Sequence, residues 1–419
     1  MTRRLTSVSS LQDPRGLLLE LLSAGLSAVG GRRSVLGALA ARPLAGSVRL
    51  VALGKAAQAM TEGAVAALGL AIRGGVVVSK AGHLDERWLA SHGLEAIVGG
   101  HPVPNAGSLA AGEALRTMLA EPDGGDWLFL LSGGASSLVE LPVAGLGIAD
   151  LQRANGWLLA SGLPIESVNL VRKALSRIKG GGLLRWVGGR CVRVLAISDV
   201  PGDDPAVIGS GPLVPEPGLA ARVGALDLPA WLDDWVRRGL AERGDLPGSA
   251  PPIELVATLE QAAAGAMAAA RSRGILAQRH PSFIGGDAAT RGAELGRWLC
   301  GAQAGVHIWG GETTVRLPER PGRGGRNQHL ALAAAGAIAG RDDCWLLAAG
   351  TDGTDGPTDV AGALVDGGTL ARASGCGLTA EKALRRADAG TFLEASGDLV
   401  DTGPTGTNVM DLIIALKRG

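Results

Sequence analysis

The sequence predicts an α/β protein of two domains, and three observations carry that expectation. Short apolar runs alternate with Ala/Leu-rich helical stretches along the chain. Most of the runs are apolar throughout rather than at every second residue, the pattern of strands covered on both faces. At 419 residues the chain also exceeds one domain, since domains run to about 100–200 residues.

The strand candidates are 48–53, 75–78, 95–98, 127–131, 193–197, 253–257, 306–309 and 344–348, read as largely parallel. Helical stretches fall at 56–68, 107–120, 149–160, 259–273, 287–301 and 328–339. Ahead of them Leu18, Leu21, Leu22, Leu26 and Val29 recur at helical spacing, and Glu20 interrupts the apolar run. That stretch reads as a first amphipathic helix rather than a signal peptide. Segment 237–252 is rich in Gly, Pro and charge and divides the αβ pattern. The domains are therefore expected at 1–240 and 253–419, joined by a linker at 241–252. Residues 398–416 read as a loop feeding a terminal strand.

Forty basic and forty acidic side chains give a net charge of zero. This excludes whole-chain attraction to nucleic acid or an anionic membrane, so an anion site must be a local concentration of positive charge. No run approaches 18 apolar residues, and no membrane span is expected. The 66 glycines follow no Gly-X-Y period and point to many tight turns. Only six lysines occur, at 55, 80, 173, 179, 382 and 417, which makes each one notable in so arginine-rich a chain. Cys191, Cys300, Cys344 and Cys376 are widely spaced without C-x-x-C. That argues against a disulfide framework or zinc site and for a reducing, cytoplasmic setting.

Several strand candidates run straight into glycine-rich polar loops, where open α/β sheets bind ligands. VRLVALGKAAQAM (48–60) places Gly54 and Lys55 between a strand and a helix start, where free N–H groups favour an anion. The alternative is a lysine that merely begins a surface helix. The stretch lacks the Walker A pattern. WLFLLSGGASSLVELP (127–142) offers a phosphate cradle of Ser132, Gly133, Gly134, Ser136 and Ser137, or else a plain turn. Leu138 stands where a G-x-S-x-G nucleophile elbow needs glycine, which disfavours a serine hydrolase.

NLVRKALSRIKGGGLL (169–184) is read as one helix ending at Gly180 that carries Arg172, Lys173, Ser176, Arg177 and Lys179. Arg172 and Ser176 would share a face, though cations at a helix C-terminus also simply suit the dipole. VLAISDVPGDDPAVIGSGP (194–212) puts Asp199 just past a strand, with Asp203 and Asp204 behind it, as Mg²⁺ ligands or as turn caps. GGETTVRL (310–317) sets Glu312 at a strand end as a metal or ribose ligand. GRGGRNQHLAL (322–332) sets Arg323, Arg326 and Asn327 at a helix start. Asp352 belongs to a third acidic loop, 346–366, without EF-hand spacing. His101 follows a strand in a Pro-rich loop, as a substrate contact or a structural histidine. None of the six histidines shows zinc-hydrolase spacing.

Glycine cradles, scarce lysines, paired arginines and aspartates are the kit of phosphoryl transfer, which consists largely of positioning and charge neutralisation. The residues alone stop at an anion or nucleotide enzyme. The ordered set VALGKAAQAM, GGHPVPNAGS, LSGGASSL, VRKALSRIKGG, ISDVPGDDPAVIGSGP, GGETTV, GRGGRNQ, AGTDGTDGPTD and TGPTGTNV resembles the class II glycerate kinases, the glycerate 2-kinase family with a C-terminal MOFRL domain. The resemblance runs from residue 13 to residue 412.

The resemblance implies two α/β/α domains, the first Rossmann-like, with the active site in the cleft between them. It implies ATP- and Mg²⁺-dependent phosphorylation of D-glycerate to 2-phospho-D-glycerate. Lys55 and Arg326 match the family's catalytic lysine and arginine. Gly54, Ser132, Gly133, Gly134, Ser136, Ser137, Lys179, Glu312 and Asn327 are expected at phosphate or nucleotide. His101 and Arg172 are expected at substrate, and Asp199 and Asp352 at the metal. The expected partners are glycerate and ATP, with neither nucleic acid nor membrane, and a homodimer is left open. The chain departs from the pattern at Asn105, where an acid is usual, at Thr258-Leu259, and near 388–393, where the usual run is shortened to ADAGTFL. The alternatives are a hydroxypyruvate reductase, for which G-x-G-x-x-G is missing after the first strand, and a non-catalytic binder of phosphorylated metabolites.

Overall fold

The computed structural model describes residues 12–121, 126–187, 190–244, 246 and 250–419. The chain folds as two compact units. Residues 31–256 form one; residues 257–419, together with the helix Pro14–Ala28, form the other.

The first unit is built on β1 (Val48–Leu53), β2 (Ile72–Ser79), β3 (Leu94–Val98), β4 (Asp126–Leu131), β5 (Val192–Ile197) and β6 (Ile253–Ala257). They lie in the order β3-β2-β1-β4-β5-β6, and the pairs β2–β3, β1–β2, β1–β4 and β4–β5 are parallel. This is the doubly wound order, whose direction reverses between β1 and β4. Alternate residues of the strands serve the two faces: Val51, Leu53, Phe129 and Leu131 pack with Leu115 and Leu119 of the helix Ala106–Ala120. Leu50, Ala52, Leu128 and Leu130 point the other way and are equally buried.

A helical annex follows β4 and β5. Helices Ile148–Ala160, Ile165–Ala174, Leu219–Gly224 and Ala230–Arg243 share a separate apolar cluster that includes Leu151, Val171, Val223 and Val236.

The second unit holds β7 (Ala277–Arg279), β8 (Ile284–Asp287), β9 (Gly305–Thr314), β10 (Cys344–Gly350), β11 (Gly362–Asp366), β12 (Leu399–Val400) and β13 (Asp411–Lys417). The sheet runs β12-β11-β10-β13-β9-β7, with β8 also on β9. Leu412, Ile414 and Leu416 of β13 face the helices Pro14–Ala28 and Leu259–Ser272. Ile413 and Ala415 face Ala288–Cys300 and Arg326–Ala337. The unit is therefore helix, sheet, helix.

Three expectations need correction. The second sheet is mixed and mainly antiparallel: β10–β11, β10–β13, β11–β12 and β9–β13 are antiparallel, while β7–β9 and β8–β9 are parallel. The continuous apolar runs report cover on both faces, which helices supply here whatever the strand direction.

The division of the chain also differs. The first amphipathic helix belongs to the C-terminal unit, where Leu18 and Leu21 are fully buried and Arg15 pairs with Asp366 and Asp398. Residues 253–256 complete the first sheet instead of opening the second unit. Of the expected linker, residues 245 and 247–249 lie outside the described residues, and its start is the end of the helix Ala230–Arg243.

Finally, the helix carrying Arg172 stops at Ala174. Beyond it Arg177 N–H donates to Leu141 O at 2.7 Å, and Leu175 O accepts from Val143 N–H at 3.1 Å. The 141–143 segment captures the backbone that would have continued the helix, so Ser176, Arg177 and Lys179 follow a bend.

Burial of Leu18 in the second unit has a measurable consequence. Leu18→Ala is expected to cost about 2–5 kcal/mol, with faster amide exchange in β9 and β13 and unchanged exchange in β1 and β4. Equal acceleration in both sheets would contradict the assignment of this helix.

Candidate active site

The reversal of strand order between β1 and β4 opens a place for ligand at their carboxyl ends. The two loops there are locked together. Gly54 has φ +124°, and a Cβ on it would lie 2.3 Å from Ser132 Oγ, so only glycine fits. Lys55 N–H donates to Gly133 O at 2.8 Å, and Ala56 N–H to Ser132 Oγ at 3.1 Å. Ser132 is completely buried. Its hydroxyl ties the loops and is not available to phosphate as the sequence reading had it.

Gly134, at φ +84°, sits against two expected site residues: a Cβ there would be 3.2 Å from Lys55 Cγ and 3.1 Å from His101 Cδ2. Asn105, at the departure from the family pattern, caps the helix Ala106–Ala120 through Ser108 N–H. Thr258 does the same for the helix Leu259–Ser272. Both substitutions keep an N-cap acceptor.

Beside Gly134 lies a cavity of about 190 Å³ whose lining includes His101, Ser136, Ser137, Glu140, Arg172 and Lys179. Leu151, Ala154 and Leu158 of the annex form an apolar wall. Arg172 Nε donates to Asn155 Oδ1 at 2.9 Å, and Asn155 Nδ2 donates to Leu151 O at 3.0 Å. The arginine is thus aimed from a rigid helix. Burial lowers its pKa, and Glu140 opposes that.

Lys179 Nζ donates to Glu140, whose other oxygen accepts from Ser176 Oγ at 2.6 Å and Leu141 N–H at 3.0 Å. The lining thus has two cations and one carboxylate, suited to a small monoanion. Ser136 Oγ meets Ser210 Oγ at 2.8 Å, and Ser137 Oγ donates to Gly134 O at 3.2 Å.

In the other unit the Gly-Gly-Arg-Asn motif has a steric cause. Gly324 has φ +148°, and a Cβ on Gly325 would stand 2.3 Å from Asp355 Cγ. That close approach lets Asp355 accept from Asn327 N–H at 3.0 Å and Gln328 N–H at 2.8 Å, capping the helix Arg326–Ala337. Burial pushes the Asp355 carboxyl up to about 7, against the pull of those two N–H groups. Arg326 Nε and Nη2 donate to the two oxygens of Asp411 at 2.7 and 3.0 Å, and Nη1 to Glu312 Oε1 at 2.7 Å. Burial alone would lower the pKa of Arg326; the Asp411 and Glu312 carboxylates reverse it, and the net direction is upward.

Asn327 is 1% exposed and turns its amide to Asp355 at 3.3 Å, so it faces inward rather than toward nucleotide. Glu312 meets Arg326. Asp352 Oδ1 accepts from Thr354 N–H and Oγ1 at 3.0 and 3.1 Å, and Asp199 is half-buried just beyond β5. Asp204 Oδ1 caps a turn at Ala206 N–H. Among the described residues no group of three His, Cys, Asp or Glu is placed to hold a metal. A hard cation that keeps several waters needs only one or two carboxylate oxygens, and Asp199 and Asp352 are of that type.

The structure therefore gathers His101, Gly134, Ser136, Ser137, Arg172 and Lys179 at one cavity, with Gly54, Lys55 and Gly133 at its edge. Arg326, Glu312, Asn327 and Asp352 belong to the second unit. Sequence reasoning missed Glu140, Asn155 and Asp411. Each is a single polar residue inside an otherwise apolar or helical pattern, which is the only signal the sequence offers for them.

Residues 17–227 match a domain of unknown function (DUF4147), and residues 305–411 match the MOFRL family. The chain is 36% identical to the D-glycerate 2-kinase of Thermotoga maritima, over 96% of this chain and 99% of that protein. It is 35% identical to an Agrobacterium vitis protein with a provisional hydroxypyruvate reductase name, over 95% of this chain and 93% of that protein. The crystal structure of a glycerate kinase from Thermotoga maritima superposes with a TM-score of 0.83 at 35% identity, covering 96% of this chain and 99% of that one. No helix among the described residues is long and apolar enough to cross a membrane.

Two outcomes follow from the buried charges. Lys179→Met leaves Glu140 without its cation, and a loss of about 3–5 kcal/mol is expected. Adding Glu140→Gln should restore most of it, as read by urea unfolding. The second outcome concerns Asp355. An acid whose pKa is raised on folding holds its proton more tightly when folded. Its contribution therefore weakens as pH climbs from about 4, the unfolded value, to about 7. Across that window Asp355→Asn should lose less stability than the wild-type protein. A loss as large as wild type would mean that Asp355 is ionised throughout.

Proposed function

The chain belongs to the glycerate kinase family with a C-terminal MOFRL domain, and from that premise we propose that it phosphorylates D-glycerate at the 2-hydroxyl using ATP and Mg²⁺. The observation that carries this reading is the cavity at the strand switch, where Arg172 and Lys179 line a space beside His101 and the Lys55–Gly134 loops. Its surplus of one positive charge suits a small carboxylate. Its size suits a three-carbon acid rather than a dinucleotide.

In the reaction the acceptor hydroxyl oxygen forms a bond to the γ-phosphorus. The bond from that phosphorus to the β,γ-bridging oxygen breaks, ADP leaves, and the hydroxyl proton is released. Little covalent chemistry is asked of the protein, which must align the partners and stabilise charge on three equatorial oxygens. Arg172, aimed by Asn155, takes the glycerate carboxylate as a charge-assisted partner. His101 borders the acceptor. Lys55 supplies a point charge where β1 meets its helix, and Arg326 supplies directional N–H donors to the phosphoryl oxygens. Asp199 and Asp352 are the residues we assign to Mg²⁺, which when bound offsets phosphate charge. Ser136, Ser137 and the Gly133–Gly134 backbone are assigned to phosphate.

The test is ADP release across small hydroxy acids with the product identified by NMR. D-Glycerate with ATP and Mg²⁺ should yield the 2-phosphate. Lys55→Ala and Arg326→Ala should each lower kcat about 100-fold or more with the fold intact, and Arg172→Ala should raise the KM for glycerate about 10-fold or more. Formation of the 3-phosphate, or glycerate-independent ADP release, would sink the assignment. Hydroxypyruvate-dependent NADH oxidation would replace it with the reductase reading.

A further inference from the structure

We propose that Asp411, seconded by Glu312, is a positioning residue for Arg326 that fixes its guanidinium so that two N–H groups remain directed to a ligand. The inference rests on the reading of Arg326 as part of the phosphoryl-transfer site; it adds Asp411 and gives Glu312, expected from the sequence at phosphate or nucleotide, a role through the arginine instead.

A guanidinium is planar and carries five N–H donors in a fixed fork. Asp411 takes two of them side-on, at 2.7 and 3.0 Å, and Glu312 takes a third at 2.7 Å. Among the described residues that leaves two donors for a ligand. A two-point contact fixes the plane of the group as well as its position, which a single ion pair does not.

Asp411 is the anchor. Its side chain is 3% exposed, against 37% for Glu312. Asp411 is in turn held by the sheet. It opens β13 and lies opposite Gly311 of β9 and Gly350 of β10, so neither neighbouring strand puts a side chain over it. A Cβ at Gly350 would stand 3.6 Å from Asp411 Oδ1 and 3.4 Å from Asp352 Oδ1. The helix bearing Arg326 is clamped separately, by Asp355 on the N–H groups of Asn327 and Gln328. Backbone and side chain are thus each fixed by a different buried carboxylate. An arginine left to its rotamers would spread over many positions, and a misplacement of about 1 Å in a reacting site costs on the order of 100-fold in rate.

The proposal has a sign that separates it from simple charge balance. If Arg326 acted only as a positive point, removing a neighbouring negative charge would strengthen anion binding and spare or raise kcat. Under positioning, kcat falls while the KM values stay. The experiment measures kcat and both KM values for wild type, Arg326→Ala, Arg326→Lys, Asp411→Asn, Glu312→Gln and the doubles of each acidic variant with Arg326→Lys.

Asp411→Asn is expected to lower kcat about 10–100-fold and Glu312→Gln less, with KM values within about 3-fold. Each double should be no slower than Arg326→Lys alone, because the acids act through the arginine. Losses that multiply, or a wild-type kcat in Asp411→Asn, overturn the proposal. Should Asp411→Asn not fold, Glu312→Gln, at a half-exposed position, decides by the same two criteria. A wild-type kcat in Arg326→Ala overturns the underlying reading of Arg326 itself. An impaired Arg326→Ala beside a normal Asp411→Asn overturns the positioning role alone.

Discussion

A charge withdrawn from water must meet its opposite, and both candidate regions of this protein are arranged round that requirement. Lys179 and Glu140 are each almost wholly buried and meet at the cavity. Lys173 and Glu216 meet under the bend that follows the Arg172 helix. In the other unit Asp398, 1% exposed, draws Arg15 and Arg372, and Asp411 draws Arg326. A chain with as many acids as bases can satisfy such pairs without leaving a large field of either sign. What remains is local: one surplus cation at the cavity and two guanidinium donors at Arg326. Net neutrality and a site for anions are therefore compatible.

The second constraint is steric. Where backbones must nearly touch, the structure spends glycine. Gly54 against Ser132 joins the loops of β1 and β4, and Gly325 against Asp355 admits the helix cap. These contacts explain why the glycine-rich motifs resemble ligand cradles in the sequence. Some of them instead bring two protein loops together, as Gly54 does with the Ser132 loop. Ser132 and Asn327 show the difference. Both lie within cradle motifs, and both are consumed by internal hydrogen bonds.

Much of the fold was legible because burial leaves a pattern. The strands of the first sheet, the helices behind them and the first amphipathic helix all followed from apolar spacing. Direction and membership did not, since an antiparallel strand covered on both faces reads like a parallel one. Nothing in 13–29 says which sheet its apolar face will meet, and the helix joins the unit that lies farther along the chain. The bend after Ala174 was hidden for a related reason. The helical pattern continues in the sequence, but tertiary hydrogen bonds to the 141–143 segment take the backbone elsewhere.

In the candidate site the glycines and cations could be singled out from the sequence, and their partnerships could not. Glycine, lysine and arginine announce themselves by rarity or by motif; of the acids, Glu312 stands in a glycine motif, while Glu140 and Asp411 stand in none. Yet the acids decide what the cations can do. An unpaired Arg326 would be a mobile charge; held by Asp411 and Glu312 it becomes a directional donor with less net charge. Lys179 without Glu140 would put a second uncompensated cation on the cavity, which would then suit a dianion better than a monoanion. The charge this cavity presents thus depends as much on Glu140 as on Arg172 and Lys179, and it is set by a carboxylate that no motif marks.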